Sequence, residues 1–428
     1  MSLFQWQERP TSALAVGGVI APDERLPWPQ TTAMGVQHVI AMFGATVLAP
    51  ILMGFDPNLA IFMSGIGTLL FYFITGGKVP SYLGSSFAFI GVVIAATGYA
   101  GTGANANIGV ALGAIIVCGL LYMLIGAVVQ AVGTGWIESL MPPVVTGAVV
   151  AVIGLNLAAI PIKNMAASNF DSWIQLVTFV CVALVAVFTK GMVQRLLILV
   201  GLALATVIYL VLANGLGLGK PMDFSGIAAA PWIGMPNFTA PVFDGGAMLL
   251  IAPVALILVA ENLGHIKAVS AMTGRNLDPY IGRAFIGDGI ATMVSGAAGG
   301  TGQTTYAENI GVMAATRIYS TAVFIVAAVM ALVLGFSPKF GALIRAIPLP
   351  VMGGVSIVVF GLITMAGAKI WVDNKVNFTN PANLLTAAIT LVLGTGDFTL
   401  KFGSFALGGI GTATFGAVLL HALLRRRA

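Results

Sequence analysis

Apolar runs about as long as a bilayer is thick recur from Ala33 to Leu424, parted only by short polar breaks. A water-soluble domain cannot bury that many, because its surface has to be covered by polar and charged side chains. Only 8% of the residues are charged, against 58% apolar. The chain is therefore expected to be an all-α polytopic membrane protein forming one unit. Cys118 and Cys181 lie inside apolar runs with neither disulfide nor metal-ligand spacing, so both read as core and neither a metal nor a cofactor is expected. Ser12 to Ala21 is apolar but short, follows Glu8 and lacks the basic start of a secretion signal.

Run lengths mark fourteen candidate transmembrane segments, beginning near residues 33, 58, 82, 107, 143, 173, 196, 246, 284, 304, 319, 350, 382 and 404. Several are unusually short. With an even count both termini share one side, and Arg425, Arg426 and Arg427 argue that this side is cytoplasmic. On that threading fourteen Lys and Arg fall inside, leaving Lys163, Lys220, Lys339, Arg345 and Lys401 outside. The net charge of +5 is then a topology signal and not a nucleic-acid footprint.

Pro143-Val144-Val145-Thr146-Gly147 and Pro350-Val351-Met352-Gly353-Gly354 open two segments 207 residues apart, and Gly154 and Leu155 meet Gly361 and Leu362 at the same offset. Two halves of seven segments follow. An odd number makes the second half enter the membrane inverted, a 7+7 inverted repeat of the kind whose substrate binds between the halves at interrupted segments. Two interruptions qualify. One is Val79-Pro80-Ser81-Tyr82-Leu83-Gly84-Ser85-Ser86-Phe87, and the other is the glycine- and hydroxyl-rich run from Gly299 to Gly311. Tyr82 and Tyr306 within them lie 224 residues apart. Each is expected to enter as a short strand and turn helical midway, presenting backbone N–H groups and a positive dipole end.

Of five glutamates, Glu261 and Glu308 fall inside membrane segments. A mid-membrane acidic residue costs about 2.5–3.5 kcal/mol on insertion scales, which points to work such as substrate binding or proton carriage. His265 stands four residues after Glu261, on the same helix face, so the pair can share a proton and border a polar ligand. Two carboxylates with almost no neighbouring cation suit a neutral ligand rich in N–H donors, and nucleobases fit that description. Phe87 offers an apolar or stacking wall. Asp288, beside Gly287 and Gly289 near an interface, reads equally as a coupling residue or a helix cap. His38 reads as a bond across to the broken segments, and Arg317 as an anchor at a cytoplasmic end.

Gln37-His38, Met42 to Thr46, Tyr82 to Phe87, Ala260 to His265 and Thr304 to Gly311 together resemble the nucleobase:cation symporter-2 family, in its bacterial uracil permease branch. Ala21-Pro22-Asp23-Glu24-Arg25-Leu26-Pro27 narrows the resemblance to its pyrimidine permeases. The resemblance implies a core domain and a gate domain. They are expected as a tail over 1–30, core over 31–135 and 246–345, and gate over 136–245 and 346–428, the last with a basic cytoplasmic tail. It implies that Glu261, His265, Glu308 and the backbone at Phe87 and Ala307 touch uracil, with His38, Asn309 and Tyr306 in support. Uracil permeases often carry Gly where Ala307 stands, which bears on pocket width. The purine branch typically carries Gln at position 308 followed by Asn-Asn, so Glu308 favours pyrimidines.

The expected function is import of uracil and related pyrimidines by proton symport with alternating access, in a bacterial inner membrane. The family also implies a homodimer through the gate domains in many members. A purine permease handling xanthine or urate is the nearest alternative. An anion transporter of related fold or a channel is more remote, because Glu261 and Glu308 would repel an anion and the polar residues cluster at one depth. His38, His265 and His421 supply no catalytic or metal constellation, so an enzyme is not expected.

Overall fold

A computed structural model describes residues 4–15, 18–99, 103–402 and 405–424; Arg425, Arg426 and Arg427 lie outside them. Eight helices among the described residues are long and apolar enough to cross a membrane, or nine if one bent pair counts as a single crossing. They are α1 (Trp28–Met53), α2 (Pro57–Ile74), α4 (Ile108–Val132), α5 (Pro143–Asn164), α6 (Asn169–Phe188), α7 (Leu197–Gly215), α8 (Gly245–Thr273) and α12 (Leu349–Asp373). Other helices are α3 (Ile90–Thr97), α9 (Ile281–Ala298), α10 (Ala307–Thr316), α11 (Thr321–Gly335), α13 (Pro381–Thr395) and α14 (Gly409–Leu424). After α11 the chain bends by 83° into Pro338–Arg345.

Local chemistry sets several of these ends. Asp56 caps α2 by accepting from the Asn58 amide at 2.8 Å, with Pro57 opening the helix. Ser168 and Asp171 form a reciprocal capping box at the start of α6. Val187 and Phe188 on α6, Val372 on α12 and Leu423 on α14 are more than 70% exposed. Apolar side chains turned outward over whole helices suit lipid and not water.

The helices gather in two groups. In one, α4 packs on α9 and α11 packs on α2 and α1; in the other, α5 packs on α12, α13 and α14, and α6 packs on α7 and α12. The repeat-related helices α5 and α12 run antiparallel against each other. Trp371 Nε1 donates to the Val144 carbonyl at 3.1 Å near one end, and Gly154 meets Thr364 and the Phe360 carbonyl near the other. Glycine is required at 154, where any Cβ would collide with that carbonyl.

Cys118 is fully buried in α4, whereas Cys181 on α6 is only partly buried. The helix carrying Glu261 runs on to Thr273, so Glu261 and His265 are both in its interior. One expectation about a helix limit changes. Asp288 is the eighth residue of α9 and wholly buried, which removes the helix-cap reading.

Candidate functional site

The two interrupted segments meet. Strand β1 (Leu83–Ser85) pairs antiparallel with β2 (Gln303–Thr305), with Leu83 opposite Thr305 and Ser85 opposite Gln303. The ribbon is extended at both ends, by Tyr306 N to Tyr82 O at 3.0 Å and Ser86 N to Gly302 O at 2.9 Å. A buried two-stranded ribbon leaves its outer edges unpaired, and an orphaned backbone group is expensive away from water. Two threonines settle that cost. Thr68 of α2 accepts from Leu83 N at 2.9 Å, and Thr292 of α9 accepts from Gln303 N at 3.0 Å. Thr68 and Thr292 lie 224 residues apart, the offset of Tyr82 and Tyr306. That offset was the one signal that could have found them in the sequence.

Past the ribbon each chain turns helical, through a short turn at Phe87–Phe89 into α3 and directly into α10. Tyr306, just before α10, donates its hydroxyl to the Ser85 carbonyl at 2.9 Å and accepts from Thr46 at 3.1 Å. Gly84 has no room for a Cβ, which would stand 2.6 Å from the Tyr306 hydroxyl. The two helix starts therefore converge, the first capped by the Ser86 hydroxyl accepting from Ala88 N at 3.3 Å and the second without a side-chain cap.

At that convergence lies a cavity of about 60 Å³ lined by Phe87, Ala88, Glu261, Thr304 to Glu308, and Val150, Ile153 and Ile363. The first set comes from the ribbon, the turn at Phe87–Phe89, α8, and Tyr306 with the start of α10, and the last three come from α5 and α12, so the cavity sits between the two helix groups. Glu261 and Glu308 both keep some accessible surface here, and neither Lys nor Arg is among the lining residues. Glu308 occupies the first turn of α10, where the helix dipole favours its charge. Glu261 Oε2 has no hydrogen-bond partner in the protein. A cavity this size has room for only a few waters. A larger cavity of about 420 Å³, lined by Gly91, Ile94, Asn156, Ile160, Lys163 and Asp397, lies further along α3 and α5. It contains neither glutamate, so the chemistry stays with the smaller one.

His265 is not on the cavity wall and is not bonded to Glu261. Its Nδ1 lies 2.8 Å from Thr305 Oγ1, whose hydroxyl in turn donates to Asn262 Oδ1 at 3.2 Å. One hydroxyl has one proton, so His265 Nδ1 must be the donor to Thr305, which leaves Nε2 as the atom free to gain or lose a proton. Asn262 then donates to Tyr122 at 2.8 Å and to Asp288, closing a buried chain from His265 to Asp288. Asp288 Oδ1 has no partner. Asn262, Thr305 and Tyr122 went unassigned in the sequence, since single polar residues in apolar helices are common. His38 joins the second interruption, accepting from Asn309 Nδ2 at its Nδ1 (2.9 Å) and its carbonyl (3.1 Å).

Broken helices converging on an acidic cavity between two helix groups define a membrane permease. Residues 29–402 match the family model Xan_ur_permease, described as a permease family. The chain belongs to that family, the nucleobase:cation symporter-2 group. It is 67% identical over 430 residues to the Escherichia coli (strain K12) protein named "Putative pyrimidine permease RutG", covering 100% of this chain and 97% of that one. It is 41% identical over 415 residues to a uracil permease of Paenibacillus larvae, covering 94% and 96%. These relatives are transporters, and the protein is not an enzyme.

Among solved structures, SLC26A9 superposes with a TM-score of 0.67 at 12% identity, covering 92% of this chain and 64% of that one. The transmembrane domain of the cyanobacterial bicarbonate transporter BicA superposes at 0.65 with 16% identity, covering 91% and 97%. At such identities the likeness speaks for the fold alone.

Proposed function

We propose that the protein imports uracil and related pyrimidines by proton symport across a bacterial inner membrane, with both termini cytoplasmic. The observation that carries this reading is the pair Glu261 and Glu308 lining one cavity at the starts of two helices. Uracil presents imide N–H donors to carboxylates and ring carbonyls to backbone N–H groups, and Phe87 supplies an apolar wall. Its relatives' names support the same substrate class.

The fourteen-segment inverted repeat is part of the proposal. The antiparallel packing of α5 on α12 and the shared 224-residue offset around the ribbon favour it. Residues 31–135 and 246–345 act as the core, residues 136–245 and 346–428 as the gate, and 1–30 as a cytoplasmic tail. Movement of the gate helices α5 and α12 away from Phe87 opens the site, giving alternating access. Glu261 carries the proton, and the His265–Thr305–Asn262–Asp288 hydrogen-bond chain couples the orientation and charge of its two titratable ends, His265 and Asp288, without passing a proton through the Asn262 amide. Two copies associate through their gate domains.

The test is uptake of labelled uracil into permease-deficient cells, competed with thymine, xanthine and urate. Inhibition by thymine with little effect of xanthine or urate is expected. Dominant inhibition by xanthine or urate favours the purine reading instead.

A further inference from the structure

The segment from Phe4 to Leu26 precedes the family match, which begins at residue 29, and transport as described so far makes no use of it. It nevertheless folds back onto the body of the protein. Gln7–Glu8 pairs parallel with Glu24–Arg25, and the salt bridges Arg9–Glu24 and Arg25–Glu8, both 2.7 Å, hold the two stretches together. The returning stretch then lies along the linker between α10 and α11. Ile20 N donates to Arg317 O at 3.0 Å, Tyr319 N to Ile20 O at 2.8 Å and Thr321 N to Pro22 O at 3.1 Å. Trp6 Nε1 adds a bond to Thr321 Oγ1 at 2.9 Å. Ile20 is fully buried with Leu26 against Ile318 and Val323.

Two features tie this docking to the site. Arg317 ends α10 in the left-handed region (φ 59°), a conformation a non-glycine residue holds only where its surroundings impose it, and its carbonyl is the one bonded by Ile20. Asp23 Oδ1 pairs with Arg275 Nη2 at 2.6 Å, just past the end of α8. The segment thus touches the C-terminal ends of both helices that carry the cavity glutamates. Glu308 is about 12 Å of helix from one contact and Glu261 about 18 Å from the other.

We propose that residues 4–15 and 18–26 are a clasp that fixes the ends of α8 and α10 relative to each other, and so sets the spacing of Glu261 and Glu308 and the affinity for substrate. Its residues are positioning residues; none touches the ligand. The proposal rests on the transport reading for its affinity arm only.

The test uses the charge reversals Asp23→Arg and Arg275→Asp singly and together in the full chain, with membrane protein quantified. Two readouts are taken: KM for uracil uptake, and the distance distribution between spin labels at Ala271→Cys and Ala314→Cys with Cys181 replaced by Ala. Because the pair is partly exposed, each single reversal is expected to raise KM about two- to fivefold with little change in maximal rate. Each is also expected to broaden the label distances, and the double reversal to restore both. Unchanged KM and distances in the single variants overturn the proposal. So does loss of membrane protein with normal KM in what remains, since the segment is then a folding element only. A wild type that takes up no pyrimidine, while the single reversals still broaden the distances, sinks the transport reading and leaves the clasp standing.

Discussion

Glu308→Gln separates binding from folding more cleanly than any other single change in the site. The amide keeps the side chain's shape but replaces one acceptor oxygen with a donor, so it faces a substrate N–H with the wrong group in half of its orientations. A hydrogen bond to a charged group contributes about 1.5–3 kcal/mol, which corresponds to roughly one to two decades of affinity. Against this, the protein itself loses only the interaction of a carboxylate with the first turn of α10, about 0.3–1 kcal/mol. Equilibrium binding of labelled uracil to detergent-purified protein should therefore weaken about 10- to 100-fold, while the thermal midpoint moves by a few degrees at most. Unchanged affinity in a well-folded variant would remove Glu308 from the site and with it the reason for preferring pyrimidines.

Other expected outcomes follow from the same geometry. Glu261→Gln should abolish accumulation while sparing substrate exchange, measured as counterflow in vesicles, because an amide hydrogen-bonds but carries no proton. His265→Ala and Thr305→Val should shift the pH dependence of uptake in the same direction, since both cut the chain to Asp288; opposite shifts would show that the chain does not act as a unit. Gly84→Ala should lose uptake together with about 1–3 kcal/mol of stability, because the new methyl stands 2.6 Å from the Tyr306 hydroxyl that joins the two interruptions. Asp23→Asn should leave the shape of the pH profile between about 5 and 8 unaltered. Burial acts to raise the Asp23 carboxyl, but its hydrogen bond and pairing with Arg275 outweigh it and hold it below its ordinary 3.8. The pair's contribution is therefore fully present above that value and is lost only as pH falls below it, so a changed profile near neutrality would contradict this assignment.

Glu261 and Glu308 were legible in the sequence because lipid makes an acidic residue costly, so its presence demands a reason. The two interruptions were legible because Pro80, Gly84 and the Gly299–Gly302 run cannot continue an apolar helix. Their pairing into one ribbon was not, since Thr68 and Thr292 look like ordinary hydroxyls until the strand edges they satisfy are known. The helix-cap alternative for Asp288 rested on a place near the interface, yet the residue is buried inside α9, where small neighbours let that helix pack closely on α4, with Gly289 against the Met123 amide. The docking of Phe4 to Leu26 was hidden because its partners lie in the linker after α10, about three hundred residues away in the chain.

The central claim is proton-driven pyrimidine import through the Glu261 and Glu308 cavity. It is tested most directly by uptake of labelled uracil into vesicles containing the purified wild-type protein, under an imposed pH gradient. Accumulation that follows the gradient and collapses with a protonophore is the predicted result. Accumulation that ignores the pH gradient and follows an imposed sodium gradient instead would contradict it.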